Sequence, residues 1–290
     1  MNKNGLARRS FIGILGLILL VPGFWIWGKG FFLSSPAEEY FTITAFPIGK
    51  ADALLLQEGR TAILVDTGEK EDGPFLLQEL EKRGIGRLDL LMITHFDKDH
   101  VGSASFLMEN LNVEMVMMPD YEGDRTEYYA FLKSLEAHPD VRRIAETVQF
   151  SIGRLDWTVY PAEAPGLIQD TAEEYDNDMS LVADISYGMK SFLLTGDIEK
   201  KRIAQMLSSD VDWKHDWIKM PHHGRYQKVL DELMEQVEPS WAVICCSEKK
   251  PAEDKTLKLL EKRQISVWDT SKYSVVTMCD GETIEVRYDL

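Results

Sequence analysis

The chain has 290 residues, of which 44% are hydrophobic and seven are tryptophan. This composition supports a packed core and excludes an intrinsically disordered chain. The 48 acidic and 32 basic residues give a net charge of −16, which argues against long-range attraction to nucleic acid or anionic lipid. Neither is excluded as a substrate, because bound divalent cations can reverse the charge locally.

The N-terminus predicts export or membrane anchoring. Lys3, Arg8 and Arg9 precede an uncharged apolar run over residues 11–27. As a helix this run would span roughly 25 Å, and its basic flank is expected to stay inside the cell. We predict that residues 1–30 are a signal or membrane anchor and 31–39 a linker. The protein is then extracytoplasmic, held at the plasma membrane by the helix, or secreted if the segment is cleaved.

Residues 40–290 are predicted to form one α/β domain with sheets inside and helices outside. The run 88–94 is apolar apart from Asp89 and the final Thr94, which is typical of a strand buried on both faces. The stretch 170–178 contains five acids without a periodic pattern and predicts a loop. Other strands are predicted at 41–46, 53–57, 62–65, 113–118, 181–186, 191–195, 217–220, 241–246 and 274–278. Helices are predicted at 74–83, 127–137, 198–207 and 253–262, and the three cysteines are expected to be small core residues.

Residues of the kind that bind metals are concentrated in two short segments, which hold four of the six histidines. The first directly follows the buried strand at 88–94, and a tight loop there would aim four side chains at one point: His95, Asp97, Asp99 and His100. Imidazole and carboxylate are the ligands that a catalytic divalent ion needs if one position is to stay open for water. A solvated polar loop is the alternative. The second segment is the pair His222-His223, whereas His138 and His215 are predicted to lie on the surface.

The first segment resembles the HxHxDH signature of the metallo-β-lactamase superfamily, in the HxDxDH form of the hydrolase domain of ComEC/Rec2 competence proteins. Further segments resemble that family's motifs in the same order: residues 48–53 with 63–68, Asn177-Asp178-Met179-Ser180-Leu181, Leu194-Thr195-Gly196-Asp197, and Pro221-His222-His223-Gly224. The resemblance covers nearly all of residues 40–290. It implies an αββα sandwich of the metallo-β-lactamase type.

The resemblance also implies a centre of two divalent metal ions. One ion would bind His95 and Asp97, and the other Asp99, His100 and one histidine of the pair, for which His222 is favoured over His223. Asp197 would bridge the ions. Asp66 would hold the ligand loop without binding metal, or would only close a turn with Gly68.

Three positions depart from the family pattern. Asp97 stands where the signature has a second histidine, and Asn177, followed by Asp178, stands where the family has a third-motif histidine. Asn177 and Asp178 are therefore possible metal or substrate ligands. These oxygen ligands shift the preference from zinc towards manganese or magnesium, which leaves the identity of the metal open, with Zn or Mn expected. Arg225 replaces a serine and would either contact a phosphate or be a surface charge.

The function expected from this centre is hydrolysis of a phosphodiester, from a small molecule or a nucleic acid. A hydroxide activated by two metals would attack the phosphorus, with Asp99 and Asp197 as the catalytic carboxylates. One alternative keeps the site but hydrolyses carboxylic esters, lactones or β-lactams. Another is a non-catalytic binding module of the cell envelope. No protein partner is identifiable, and the membrane is a partner only through the N-terminal segment.

Overall fold

The computed structural model describes residues 40–136, 138, 140–163 and 172–290. The predicted N-terminal signal or anchor and the linker to residue 39 lie outside this part of the chain. The strands are β1 (Phe41–Ala45), β2 (Leu54–Glu58), β3 (Thr61–Val65), β4 (Arg87–Leu88), β5 (Leu90–Met92), β6 (Asn112–Val113), β7 (Val116–Pro119), β8 (Val141–Ile144), β9 (Val148–Ile152), β10 (Leu155–Tyr160), β11 (Val182–Tyr187), β12 (Lys190–Leu194), β13 (Trp217–Lys219), β14 (Trp241–Ile244), β15 (Ser266–Asp269), β16 (Ser274–Cys279) and β17 (Ile284–Asp289). The α-helices are α1 (Gly73–Lys82), α2 (Lys98–Val101), α3 (Ala104–Asn110), α4 (Thr126–Leu135), α5 (Ala172–Asp178), α6 (Lys200–Ser208), α7 (Leu230–Val237) and α8 (Asp254–Lys262).

Two large sheets form the centre of the fold. The first has the strand order β17-β16-β1-β2-β3-β5-β7-β8, and the second has the order β15-β14-β13-β12-β11-β10-β9. In the first sheet, β3, β5, β7 and β8 are parallel neighbours. In the second, β12, β13, β14 and β15 are parallel neighbours. Parallel strands end at the same edge of their sheet, so each sheet gathers its strand-end loops at one edge.

Three apolar clusters separate four layers. The first lies between the sheets and includes Trp157, Phe192 and Trp217. The second joins the outer face of the first sheet to α1, α3 and α4, for example through Leu76 and Phe131. The third joins the second sheet to the helices α6, α7 and α8. Because side chains of a strand alternate between its faces, each sheet contributes to two clusters. This αββα order matches the predicted architecture.

Some elements differ from those predicted. The run 88–94 is divided between β4 and β5 at Asp89, whose Oδ2 accepts the backbone N–H of Ala62 at 2.9 Å. The acidic stretch at 170–178, predicted as a loop, contains helix α5 instead. This helix packs through Tyr175 against the apolar cluster of the first sheet, and that tertiary contact outweighs the repulsion between its acids. The three cysteines are buried and free, which confirms their prediction as core residues.

No helix within the described residues has both the length and the apolar composition that a membrane crossing requires.

Close packing fixes the loop that follows β5 against the loop that follows β3. Gly102 lies in this contact, and a Cβ atom there would lie 2.6 Å from the carbonyl oxygen of Gly68 and 2.6 Å from the carbonyl carbon of Glu69. It would also overlap the carbonyl oxygen of Lys98. All three neighbours are backbone atoms, which cannot rotate away as a side chain would. Gly102 is therefore required by close approach and not by an unusual φ angle.

We predict that Gly102→Ala lowers the free energy of unfolding by about 1–3 kcal/mol, because the backbone of the ligand loop must shift. Chemical denaturation of the full chain measures this change. Gly86→Ala is the matched control, since a Cβ at Gly86 meets no atom within 4 Å. A change below about 0.5 kcal/mol in both variants would contradict the packing argument.

Candidate metal centre

The candidate centre lies where parallel strands of both sheets end. Asp66 follows β3 and His95 lies three residues after β5 in the first sheet. Asp197 follows β12, and Lys219 is the last residue of β13 in the second sheet. The two edges are tied together by hydrogen bonds, since the N–H of Leu181 donates to the carbonyl oxygen of Thr94 at 2.9 Å. Side chains separated by more than a hundred residues thereby meet in one place.

Asp66 fixes the orientation of His100. Its backbone is left-handed, with φ of 58°, which points the carboxylate towards the next strand end. Oδ1 accepts the N–H of Thr94 at 2.8 Å, and Oδ2 accepts the Thr94 hydroxyl at 2.7 Å. Oδ2 also lies 2.8 Å from Nδ1 of His100. The carboxylate therefore holds the proton on Nδ1 and leaves Nε2 of His100 available to a metal.

A compact group forms around Asp197. Its Oδ2 lies 3.0 Å from Nε2 of His223 and 3.3 Å from Nε2 of His100. Nε2 of His223 also lies 3.5 Å from Oδ2 of Asp99. Both Nε2 atoms are buried and lack a well-aligned hydrogen-bond partner among the described residues. Two imidazole nitrogens and two carboxylate oxygens at this spacing fit a divalent cation.

Asp52 and Lys219 complete the group and were not predicted from the sequence. The side chains of both are 1% exposed and form an ion pair. Nζ of Lys219 also donates to the Gly196 carbonyl at 2.9 Å and to Oδ1 of Asp197 at 3.2 Å. Asp52, His100, Asp197 and His223 could all offer ligand atoms within 4.8 Å of one another. We assign Asp52 to charge balance, because its carboxylate contacts Lys219 and lies on the Nδ1 side of His223, at 3.4 Å.

The buried charges shift one another's pKa values. Burial alone would lower the pKa of His100, but the carboxylates of Asp197, Asp66 and Asp52 raise it well above its usual value. Burial would likewise raise the pKa of Asp197, whereas His223, His100 and Lys219 hold it well below its usual value. Asp197 is therefore held as a carboxylate by His100, His223 and Lys219.

The residues expected at the other ion lie beside this group. Nδ1 of His95 lies 3.1 Å from the Thr94 hydroxyl, and its buried Nε2 has no hydrogen-bond partner among the described residues. The ring centroids of His95 and His100 are 4.0 Å apart. Asp97 instead contacts Arg125, whose Nη2 donates to Oδ1 at 3.1 Å. An ion bound by His95 and Asp97 would share that carboxylate with a guanidinium, so this half offers metal a weaker set of ligands.

His222 lies apart from the group around Asp197. Its Nδ1 is 2.7 Å from Oε1 of Glu199, whereas His223 contacts Asp197 and Asp99. Both histidines have left-handed backbones, with φ of 44° and 53°, and this turn sends the adjacent side chains to different partners. The sequence favoured His222 as the ligand, but the structure brings His223 to the other predicted ligands.

The remaining candidate ligands gather around Glu199. The Asn177 amide and the Arg225 guanidinium each donate to Oε1 of Glu199 at 3.1 Å. Asp178 accepts the backbone N–H of Glu199 at 2.6 Å and that of Arg202 at 3.3 Å, which satisfies the start of α6. Burial raises the pKa of Asp178 to about 6, although these backbone bonds oppose the rise. None of the three side chains is among those that contact Asp197.

The prediction that His215 lies on the surface is wrong. His215 is buried, with Nδ1 2.8 Å from the Trp213 carbonyl and Nε2 3.1 Å from Asp184. The charged neighbours in the sequence suggested exposure, but the ring is buried and pairs with the carboxylate of Asp184, which lies on β11. His138 is half-buried, and its Nε2 lies 2.7 Å from the carbonyl oxygen of Val113.

Fold and site together define a metal-dependent hydrolase of the metallo-β-lactamase fold. Residues 47–248 match the model of the metallo-β-lactamase superfamily, and the chain belongs to that superfamily. The chain is also similar to ComE operon protein 3 of Bacillus subtilis, with 28% identity over 88% of this chain and 34% of that protein. It is 27% identical to Recombination protein 2 of Haemophilus influenzae over 76% of this chain and 25% of that protein.

These matches confirm the resemblance to ComEC/Rec2 proteins, and the chain spans about a quarter to a third of the length of these relatives. Among solved structures, Igni18, a metallo hydrolase from Ignicoccus hospitalis, superposes with a TM-score of 0.53. The identity is 16%, over 81% of this chain and 98% of that one. At this identity the likeness supports the fold alone.

We predict that Asp66→Asn weakens metal binding about 10- to 100-fold, because the amide holds Nδ1 of His100 less firmly than the carboxylate does. Competition with a chromogenic chelator measures the affinity. Asp178→Ala is the control, since this variant loses the acceptor at the start of α6. It is expected to lower the free energy of unfolding by about 1 kcal/mol and to leave metal affinity unchanged. Equal affinities of wild type and Asp66→Asn would contradict the role given to Asp66.

Proposed function

We propose that the protein is an extracytoplasmic phosphodiesterase that uses two divalent metal ions, zinc or manganese. The observation that carries this proposal is the convergence of buried imidazole nitrogens with the carboxylates of Asp197 and Asp99 at the strand ends. Buried polar atoms without hydrogen-bond partners are costly in a folded protein. Within the part of the chain that the structure describes, Nε2 of His95, His100 and His223 have no such partner, and a bound cation would satisfy them.

Two sets of residues would hold the ions. His100, His223 and Asp99 form one set, His95 and Asp97 form the other, and Asp197 contacts both histidines of the first set. Bound there, divalent ions would supply Lewis-acid stabilisation of the phosphoryl oxygens and a lowered pKa for water. We expect the first set to bind its ion more tightly, since Asp97 in the second set is shared with Arg125.

Residues of the chain determine from which side substrate and water would approach the centre. Hydrolysis forms a bond from a water oxygen to phosphorus and breaks one ester P–O bond. The water loses a proton, and the departing alcohol oxygen gains one. Asp99 has the most exposed side chain of the ligands around Asp197, at 21%, so substrate and water would approach from its side. Asp197 keeps Oδ2 towards the histidines because its Oδ1 is held by Lys219.

The phosphodiester substrate class is supported by the relatives and by the oxygen-rich ligands. One relative is named for recombination, a process that acts on nucleic acid, and the other is named for the ComE operon. The carboxylates of Asp97 and Asp99 suit metals that activate phosphates. Carboxylic esters, lactones and β-lactams are the competing substrates. A non-catalytic binding module is the remaining alternative, and the contact between Arg125 and Asp97 is the feature that favours it.

The location is proposed from the sequence alone. Lys3, Arg8 and Arg9 precede the apolar run at 11–27, which would anchor the protein to the plasma membrane or direct its secretion. Fractionation of cells that express the full chain, with protease added outside the membrane, tests this arrangement. Protection of residues 40–290 from external protease would contradict it.

We predict that the metal-loaded full chain hydrolyses bis(p-nitrophenyl) phosphate faster than a lactone or a β-lactam. His95→Ala and Asp197→Asn are each expected to reduce this turnover at least about 100-fold, because both remove groups that hold the ions. His138→Ala, which changes a half-buried histidine outside the site, should keep wild-type turnover. Metal content and circular dichroism of each variant show whether the ions or the fold were lost.

Two results would contradict the proposal. Preferential turnover of the lactone or β-lactam would move the enzyme to the competing class. Less than one bound ion per chain after manganese and zinc loading, with no turnover, would favour the binding module.

A further inference from the structure

A cavity of about 620 Å³ opens beside the metal centre. It is bounded by the start of α6, by residues 225–229 and by the end of α5, and Glu199 forms part of its wall. Glu199 is the residue that contacts His222, which is the chain neighbour of the candidate ligand His223. Glu199 and His222 therefore separate the cavity from the ligand His223, and none of the functions considered so far uses the cavity.

The charge of this cavity contrasts with that of the chain. The protein carries −16 overall, yet Lys200, Lys201, Arg225 and Lys228 line one cavity. Lys200 and Lys228 are exposed, and neither has an ion pair among the described residues. Three acids also line the wall: Asp178, which accepts backbone N–H groups at the start of α6, Glu199, which contacts His222 and Arg225, and Glu174 of α5. Lys200 and Lys228 are therefore the cations that could offer positive charge to a ligand in the cavity.

The opposite wall offers groups that suit a nucleotide. Tyr226 and Gln227 both line the cavity. The side-chain nitrogen and oxygen of Gln227 are buried and have no hydrogen-bond partner among the described residues. An amide provides one donor and one acceptor group, which match a base edge, and an aromatic ring provides a surface for stacking.

We propose that this cavity is a subsite for a terminal phosphate of a short nucleotide substrate, next to the phosphodiester that is hydrolysed. Lys200 and Lys228 contact the phosphate, Arg225 lies between it and Glu199, and Tyr226 and Gln227 face the adjoining nucleoside. This inference rests on the proposed phosphodiesterase function and narrows its substrate to short, terminally phosphorylated oligonucleotides. It also fits the acidic body of the protein, which disfavours long duplexes.

The test compares the dinucleotide TpT with its 5′-phosphorylated form, pTpT. Equilibrium binding is measured by calorimetry on the full chain carrying Asp197→Asn, and kcat/KM on the full chain without it. We expect pTpT to bind about tenfold more tightly than TpT, because charge-assisted contacts to the added phosphate are worth about that factor. The double variant Lys200→Gln with Lys228→Gln is expected to bring the ratio of the two affinities close to one.

A charge-matched control separates the subsite from general electrostatics. Arg60→Gln with Arg287→Gln removes two exposed positive charges that do not line the cavity and should keep the tenfold ratio. Equal binding of TpT and pTpT by the unsubstituted cavity would overturn the subsite. So would an equal loss in both double variants.

Failure of the subsite can be distinguished from failure of the proposed function. A preference for pTpT in binding without hydrolysis of either dinucleotide would leave the subsite standing and reject the phosphodiesterase. Hydrolysis of both dinucleotides at the same kcat/KM, with equal affinities, would do the reverse.

Discussion

The candidate centre depends on how three buried carboxylates are neutralised. Asp52, Asp66 and Asp197 are at most 3% exposed. An ionised carboxylate at such a depth costs several kcal/mol unless a cation or several N–H groups surround it. Lys219 pairs with Asp52 and Asp197, and His100 pairs with Asp66. The protein's own cations therefore hold these carboxylates in place, and the ligand geometry follows from these pairs.

The same contacts also determine which atoms remain available to bind a metal ion. Asp66 holds Nδ1 of His100, and the Cys245 carbonyl lies 2.9 Å from Nδ1 of His223, so each ring turns its Nε2 inward. Lys219 holds Oδ1 of Asp197, so Oδ2 is the oxygen that faces both rings. The half that contains His95 and Asp97 lacks this full set of restraints, because Arg125 already contacts Asp97. The two halves of the centre therefore differ in the residues that hold their ligands in place, and not only in the ligands themselves.

The sequence could predict the parts of this arrangement that are local. The α/β layering, four of the helices to within two residues and the ligand segment after β5 follow from periodicity and from residue types at strand ends, whereas the αββα class follows from the family resemblance. Lys219 and Asp52 were not predicted because their role depends on their contact with each other, and they lie 167 positions apart in the sequence. The lysine inside the apolar strand β13 was nevertheless a signal that could have been used. The choice between His222 and His223 depends on two left-handed backbones that composition does not encode. Helix α5 was hidden by its acids, since only packing against the first sheet compensates for their repulsion.

An enzyme with an acidic body needs local positive charge if it acts on anionic substrates. Screening limits the repulsion from distant carboxylates to about 8–10 Å at moderate salt, so charges close to the site decide whether a phosphate can enter. The metal ions would supply part of this charge, but only at the reacting phosphate. Lys200 and Lys228 line the neighbouring cavity. Its wall includes Glu199, which separates the cavity from His222. Their position suits a substrate with two phosphates. A neutral ester or lactam would gain no binding energy from these lysines. The distribution of cations around the site thus favours phosphodiesters independently of the ligand set.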